Sequence, residues 1–249
     1  MSIKFIYTFA SYLHIDVMET KNYCYEYPRP AVTTDCVIFG FDAGELKLLL
    51  IERGIDPYKG KWAFPGGFLS MEENADECAR RELFEEAGIQ NVFIEQLFTF
   101  SDVDRDPRGR VITVSYFALV KLSDYKIQAG DDAKSAKWFP ISQVPPLAFD
   151  HDRILRVALN RLRGKIRYQP IGFELLPEKF TLPELQNLYE TVLEMQLDRR
   201  NFRKKILDTG LLIDHQESVK GLPHKGAKYF SFDKKKYQEL SERGFNFEI

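Results

Sequence analysis

At 249 residues, with 44% hydrophobic and 29% charged residues, the chain is long enough for two domains with real cores and too apolar to be disordered. Its formal net charge of −2 excludes a globally basic, polyanion-binding character, so any basic surface has to be local. The cysteines Cys24, Cys36 and Cys78 lack metal-ligand spacing and read as reduced thiols of a cytoplasmic protein, and no apolar run approaches the length of a membrane helix.

Residues 1–17 are rich in aromatics, but Lys4 and His14 interrupt the run and no small-residue cleavage site follows, which fits neither a signal peptide nor a membrane span. Either Met18 is the physiological start or residues 1–17 are peripheral; residues 1–27 are read as a lead into a first domain over 28–165. Residues 36–41 and 46–51 predict two strands, with Asp42-Ala43-Gly44 turning between them. Arg53 follows the second strand, and Trp62 and Phe64 precede the turn Pro65-Gly66-Gly67, where glycine lets the backbone approach a ligand closely. Arg53 suits phosphate binding; Trp62 and Phe64 suit either base stacking or the core.

A helical pattern begins after Asn74: Ala75, Ala79, Leu83 and Ala87 recur every four residues, and Gly88 fits a left-handed cap. On that helix Glu82, Glu85 and Glu86 stand at i, i+3 and i+4, so three carboxylates share one face. Unpaired, they repel one another and raise each other's pKa; a hard divalent cation, Mg²⁺ or Mn²⁺, removes that repulsion. Glu73 at the loop end is placed to ion-pair with Arg81 and fix the start of the helix.

The spacing Gly67-x5-Glu73-x7-Arg81-Glu82-Leu83-x-Glu85-Glu86-x-Gly88-Ile89 matches the Nudix box without a departure. The resemblance implies a mixed sheet between helices, with the box as loop-helix-loop. It implies Glu82, Glu86 and the Gly66 carbonyl as metal ligands, and Glu85 as a second-site ligand or as the residue that orients water. Glu73 and Arg81 would orient the helix. The reaction implied is attack of metal-activated water on the pyrophosphate of a nucleoside diphosphate linked to a second group.

Residues 100–110 follow, and resemble the corresponding segment of ADP-ribose pyrophosphatases, with Pro107 soon after the box. Arg105, Arg108 and Arg110 are candidate partners for a diphosphate; the other reading is a charged hairpin loop ahead of the strand at 111–118. Asp131 and Asp132 are offered as general bases outside the box. Residues 138–140 close another strand, and 147–152 lead into a helix expected to end near Arg163. His151 at its start reads as structural in preference to a substrate contact.

Residues 164–172 form the expected boundary, and a second domain is expected over 172–249. Thr181-Leu182-Pro183-Glu184 combines a cap, an early proline and a glutamate at the third helical position; Leu185, Leu188, Tyr189 and Val192 follow as an apolar face. Asp198 caps a second helix whose Phe202, Ile206 and Leu207 are expected inward and whose basic residues face out. Gly210 stops it, and a two-strand wing is expected between 211–213 and 228–232, with its tip at 221–226. Residues 196–236 hold eleven Lys/Arg against five Asp/Glu, a local basic face on a neutral chain. A helical oligomerisation unit with solvated lysines is the competing reading.

This stretch resembles the winged-helix half of Nudix-related transcriptional regulators, on residues 181–190 and 198–205. The candidate DNA contacts are Arg199, Arg200, Asn201, Arg203, Lys204, Lys225 and Lys228, and a homodimer on a palindromic double-stranded operator is expected. The whole chain is expected to be α+β, a Nudix fold followed by a winged helix-turn-helix. The function expected is Mg²⁺-dependent hydrolysis, of ADP-ribose foremost, in a ligand-responsive regulator. The alternative is a catalytically silent nucleotide or sugar sensor in a repressor.

Overall fold

The computed structural model describes residues 25–125, 133–219 and 226–249. Residues 1–17, Met18, Cys24, Asp131, Asp132, Lys225 and most of the expected wing tip lie outside the described residues. Strand β1 (Ala31–Asp42) is the centre of the first sheet, and its Cys36, Val37, Ile38 and Phe39 are fully buried. Successive side chains leave opposite faces of a strand. Val37 and Phe39 therefore enter one core while Cys36 and Ile38 enter another. A strand covered on both faces needs a continuous apolar run, which is what residues 36–39 supply.

Around β1 stand β2 (Glu45–Arg53), β3 (Trp62–Ala63), β4 (Glu95–Phe100), β5 (Val111–Lys121) and β6 (Ala133–Pro140). The order is β3-β2-β1-β5-β4, with β6 added on β2. The β1–β2 hairpin turns through Ala43 and Gly44, both at positive φ (51° and 80°), as a two-residue hairpin turn requires. β1 and β5 run parallel from Ala31↔Val111 to Phe41↔Lys121. Helix α1 (Ala75–Ala87) covers one face with Ala79, Leu83 and Ala87, and helix α2 (His151–Tyr168) covers the other with Ile154, Ala158 and Leu162.

Helix α2 runs past the end expected at Arg163, straight through Gly164, to Tyr168. Ile154, Ala158, Leu162 and Ile166 form one buried row at four-residue spacing, all at 0% exposure. Burying Ile166 outweighs the roughly 1 kcal/mol that a mid-helix glycine costs.

The second unit opens with the short strand β7 (Phe180–Thr181) and helix α3 (Leu182–Leu193). Thr181 and Glu184 form a reciprocal capping box: the Glu184 N–H donates to Thr181 Oγ1 (3.3 Å) and the Thr181 N–H to Glu184 Oε2 (2.7 Å). Helix α4 (Arg199–Asp208) is capped by Asp198, which accepts from the Asn201 N–H at 2.9 Å. Strands β8 (Leu212–Ser218) and β9 (Lys228–Phe232) form the wing, in the order β7-β9-β8, before helix α5 (Lys234–Glu242). The protein is thus α+β, a mixed sheet between helices followed by a winged helix. Among the described residues no helix is long and apolar enough to cross a membrane.

Phe202 and Ile206 of α4 face inward as expected, but Leu207 is 38% exposed. It follows Ile206 by one position, a rotation of about 100° that takes it off the buried row. Tyr189 of α3 is fully buried with its hydroxyl unpartnered among the described residues. An orphaned buried hydroxyl costs stability, so Tyr189→Phe is expected to stabilise the protein by about 1 kcal/mol. A thermal melt would read this as a rise of roughly 2–4 °C; a lower melting temperature would contradict it.

Candidate ligand site and nucleic-acid interface

The Gly66-Gly67 loop lies along β1, pinned by the Cys36 N–H on the Pro65 carbonyl (2.8 Å) and the Thr34 N–H on the Gly67 carbonyl (2.9 Å). Both glycines are forced by contact. A Cβ on Gly66 would stand 2.1 Å from the Thr34 carbonyl oxygen, and one on Gly67 would stand 2.1 Å from Glu82 Oε1. The second close approach sets the box loop directly against the carboxylate face of α1.

On that face Arg81 is the hub. Its Nε and Nη2 donate to the two Glu73 oxygens (3.0 and 2.7 Å), and its Nη1 donates to Glu82 Oε1 (2.7 Å) and Glu85 Oε2 (2.9 Å). Glu86 instead accepts from the Gly66 N–H at 2.7 Å. The Arg81 hydrogen bonds hold the Glu73 carboxyl down at about 2, against an ordinary 4.5. Because the folded value is the lower one, this contribution to stability is complete above pH 4.5. It is lost as pH falls through about 2. Denaturant melts of Glu73→Gln should accordingly show a deficit against wild type at pH 7 that shrinks below pH 4.5 and closes near pH 2. A deficit independent of pH would contradict the pairing.

Burial pushes the Glu82 carboxyl upward, with Glu85 and Glu73 adding to the shift, and burial together with the neighbouring Glu82 drives Glu86 to about 8. Two half-buried carboxylates in that condition form a donor set that a divalent cation relieves. The residues therefore fit a hard cation, with Glu82 and Glu86 as the candidate side-chain ligands. Glu85, more exposed, stands at the rim. Among the described residues no three His, Cys, Asp or Glu side chains converge into a ready cage. Arg81 explains why: it holds the oxygens of Glu82 and Glu85 that would have to turn inward.

Beside the carboxylates lies a small cavity of about 60 Å³, walled by Arg53, Phe68, Arg108 and Phe149 among others. Arg53 donates through Nε to the Pro57 carbonyl (2.8 Å), while its Nη2 is buried without a partner among the described residues. Burial, then the neighbouring Arg108, lowers its pKa. A guanidinium with a spare donor beside a second guanidinium is a fit for a diphosphate. Arg108 is held bidentately by Asp106 (3.0 and 2.7 Å) and lies between the rings of Phe68 (4.6 Å) and Phe149 (5.4 Å).

Of the expected ligand contacts, Phe64, Trp62, Arg105 and Arg110 are engaged within the fold. Phe64 is only 1% exposed and stacks on the His151 ring at 4.9 Å, so it belongs to the pocket floor and offers no free face to a base. Trp62 likewise packs edge-on against Phe139. Arg105 is buried, with its guanidinium on Asp150 (2.7 Å) and Asp35 (3.5 Å), so its charge is already neutralised. Arg110 closes the loop on the Ser101 and Asp102 carbonyls. His151 is structural: its Nδ1 accepts from the Phe64 N–H (3.0 Å) and its Nε2 lies 3.3 Å from Asp35. Phe68, Asp106 and Phe149 were missed, because they come from three separate segments and carry no motif.

On the second unit, Arg199, Arg200, Asn201, Arg203 and Lys204 are all exposed on one short helix. None of those four cations makes an ion pair among the described residues, in contrast to Lys228, which is paired with Asp214 at 2.7 Å. Helix α4 directly precedes the first wing strand, β8, as the second helix of a winged helix-turn-helix does. The basic side chains are free for phosphates and base edges.

Two family models match: the NUDIX domain over residues 29–158 and the NrtR DNA-binding winged helix domain over residues 172–232. An ADPR responsive transcriptional repressor NtrR of Acinetobacter baylyi is 39% identical over 197 residues, covering 78% of each chain. The crystal structure of Shewanella oneidensis NrtR complexed with a 27mer DNA superposes with TM-score 0.69 at 30% identity, covering 87% of this chain and 97% of that one. The NUDIX domain of the same protein complexed with ADP ribose gives TM-score 0.51 at 34% identity, covering 55% and 90%. The chain belongs to the Nudix family and carries an NrtR-type DNA-binding winged helix domain.

Proposed function

We propose that the protein is a transcriptional repressor that binds operator DNA through α4 and the wing, with an affinity set by ADP-ribose in the Nudix pocket. The observation that carries this reading is a continuous core: Leu162 and Ile166 of α2 pack in one cluster with Leu185, Leu188 and Tyr189 of α3. Pocket and reading helix are therefore parts of one packed body. The Acinetobacter repressor, which answers to the same ligand class by its name, aligns across 78% of the chain. Arg53 and Arg108 hold the diphosphate, and Glu82, Glu86 and the Gly66 carbonyl hold Mg²⁺ or Mn²⁺ beside it. Arg199, Arg200, Asn201, Arg203 and Lys204 meet DNA, with two copies of the chain on matched half-sites. The full-length protein is expected to enrich a two-fold symmetric duplex from a random-sequence library. Failure to enrich any duplex would overturn the DNA-binding reading.

A second reading, retained hydrolysis, is favoured by the complete set of Glu73, Arg81, Glu82, Glu85 and Glu86 on its box spacing. A bound Mg²⁺ supplies water activation and charge neutralisation on the departing phosphate. Mg²⁺-dependent release of AMP from ADP-ribose, abolished in Glu86→Gln, is the result this reading requires. No release from the wild-type protein would leave the pocket a sensor only.

A further inference from the structure

The ligand pocket is too small as it stands. Its volume of about 60 Å³ compares with roughly 300–1,000 Å³ for sites that take small molecules. Something in its wall has to move. On one side the wall is box loop and β1, anchored in the central sheet by backbone hydrogen bonds. On the other it is Arg108 and Phe149. The Arg108 guanidinium lies between Phe68 and Phe149, where a planar ring would stack.

Phe149 is unusual in its backbone as well. Its φ is +53°, a left-handed value that costs a bulky residue energy and that persists only where surroundings enforce it. Its ring is held by Tyr58 edge-on at 4.8 Å and by Arg53 at 4.8 Å. The next residue, Asp150, is the N-cap position of α2, yet its carboxylate makes no cap and goes to Arg105 instead. Phe149 is thus a strained joint, with the pocket on one side and the start of α2 on the other.

Helix α2 has 18 residues, a rod of about 27 Å. Its far end is fastened to the winged helix. Arg163 donates to the Val192 carbonyl (3.2 Å) and pairs with Glu194 at the end of α3, and the Arg167 carbonyl accepts from the Ile249 N–H (3.2 Å). Lys165 and Gln169 near that end also border a cavity of about 700 Å³ lined across by Phe232, Lys234 and Tyr237. The rod therefore ends beside free space into which the winged helix can shift.

We propose that Phe149 is the moving joint of the repressor: a planar ring of the ligand replaces the Arg108 guanidinium between Phe68 and Phe149, and α2 carries the displacement of Phe149 to α3 and α4. The inference rests on the ligand-responsive reading above. Its distinctive content is that coupling passes through Phe149 at one end of α2 and Arg163 at the other. Coupling is the ratio of DNA affinities with and without saturating ligand.

The test is fluorescence anisotropy of the library-selected duplex with the full-length protein, at zero and saturating ADP-ribose. Saturation is fixed for each variant by calorimetry. Wild type is expected to change its DNA Kd by about tenfold. Phe149→Gly, which removes the ring and relieves the left-handed strain, is expected to bring that change below about twofold. Arg163→Met, remote from the pocket, is expected to lose coupling in the same way while the DNA-free protein keeps its ADP-ribose affinity. A wild-type coupling factor retained by either folded variant would overturn the proposal. A wild-type protein whose DNA affinity ignores saturating ADP-ribose is a different result, and overturns the ligand-responsive reading itself.

Discussion

Gly66→Ala is expected to destabilise the protein by about 3 kcal/mol, whereas Gly67→Ala is expected to cost the fold roughly 1 kcal/mol or less and to damage the site instead. The two glycines are neighbours, but what a methyl group would strike differs. At Gly66 it meets the Thr34 carbonyl oxygen at 2.1 Å, with Asp35 Cα at 3.0 Å; both belong to the central strand. The box loop would have to lift from β1, breaking the Cys36 and Thr34 hydrogen bonds that pin it. At Gly67 the methyl group meets only the end of the Glu82 side chain, which can swing away. That swing removes a proposed cation ligand, so Mg²⁺ affinity should fall by ~10-fold or more. Thermal melts with and without Mg²⁺ separate the two variants. Equal melting-temperature losses, with the Mg²⁺ response intact in Gly67→Ala, would contradict this account of the loop.

Arg200→Ala and Arg203→Ala should each weaken binding to the library-selected duplex without disturbing the fold. Both side chains are exposed, and neither is spent on an ion pair among the described residues. Loss of a side chain that meets phosphate lowers the magnitude of the salt slope by about 1 and weakens binding to all sequences alike. Loss of one that meets a base edge costs about 1–3 kcal/mol and relaxes specificity at a single position. Lys228→Ala is the internal comparison, because its ammonium is engaged with Asp214 in the wing. Affinity and salt slope unchanged in both arginine variants would remove α4 from the interface.

The box was legible because its chemistry and its helical period coincide. Ala79, Leu83 and Ala87 mark the buried row, Gly88 the left-handed cap at φ 69°, and the glutamates the face that flanks it. The first turn of α3 was legible for the same local reason, Thr181 and Glu184 being a capping signal complete within four residues. The pocket wall was not. Which arginine of the 100–110 loop faces the cavity depends on Asp35 and Asp150, some 70 and 45 positions away, which bury Arg105 between them, while Arg108 pairs with its near neighbour Asp106 and stays partly exposed. Which aromatic faces the ligand depends on how the box loop lies on β1: Phe64 turns down onto His151 while Phe68 stays 43% exposed. No sequence pattern marks Phe149 as left-handed; its neighbours in space impose that conformation. Local signals wrote the helices, and long-range contacts wrote the ligand face.

The most direct test of the whole account is the Kd of the full-length protein for its library-selected duplex, measured across an ADP-ribose titration with Mg²⁺ present. Calcium in place of Mg²⁺ in a parallel series guards against turnover of the ligand. DNA affinity is expected to fall by about tenfold as the Nudix pocket fills and then to level off. A DNA affinity that stays constant while calorimetry shows the pocket saturated would contradict it.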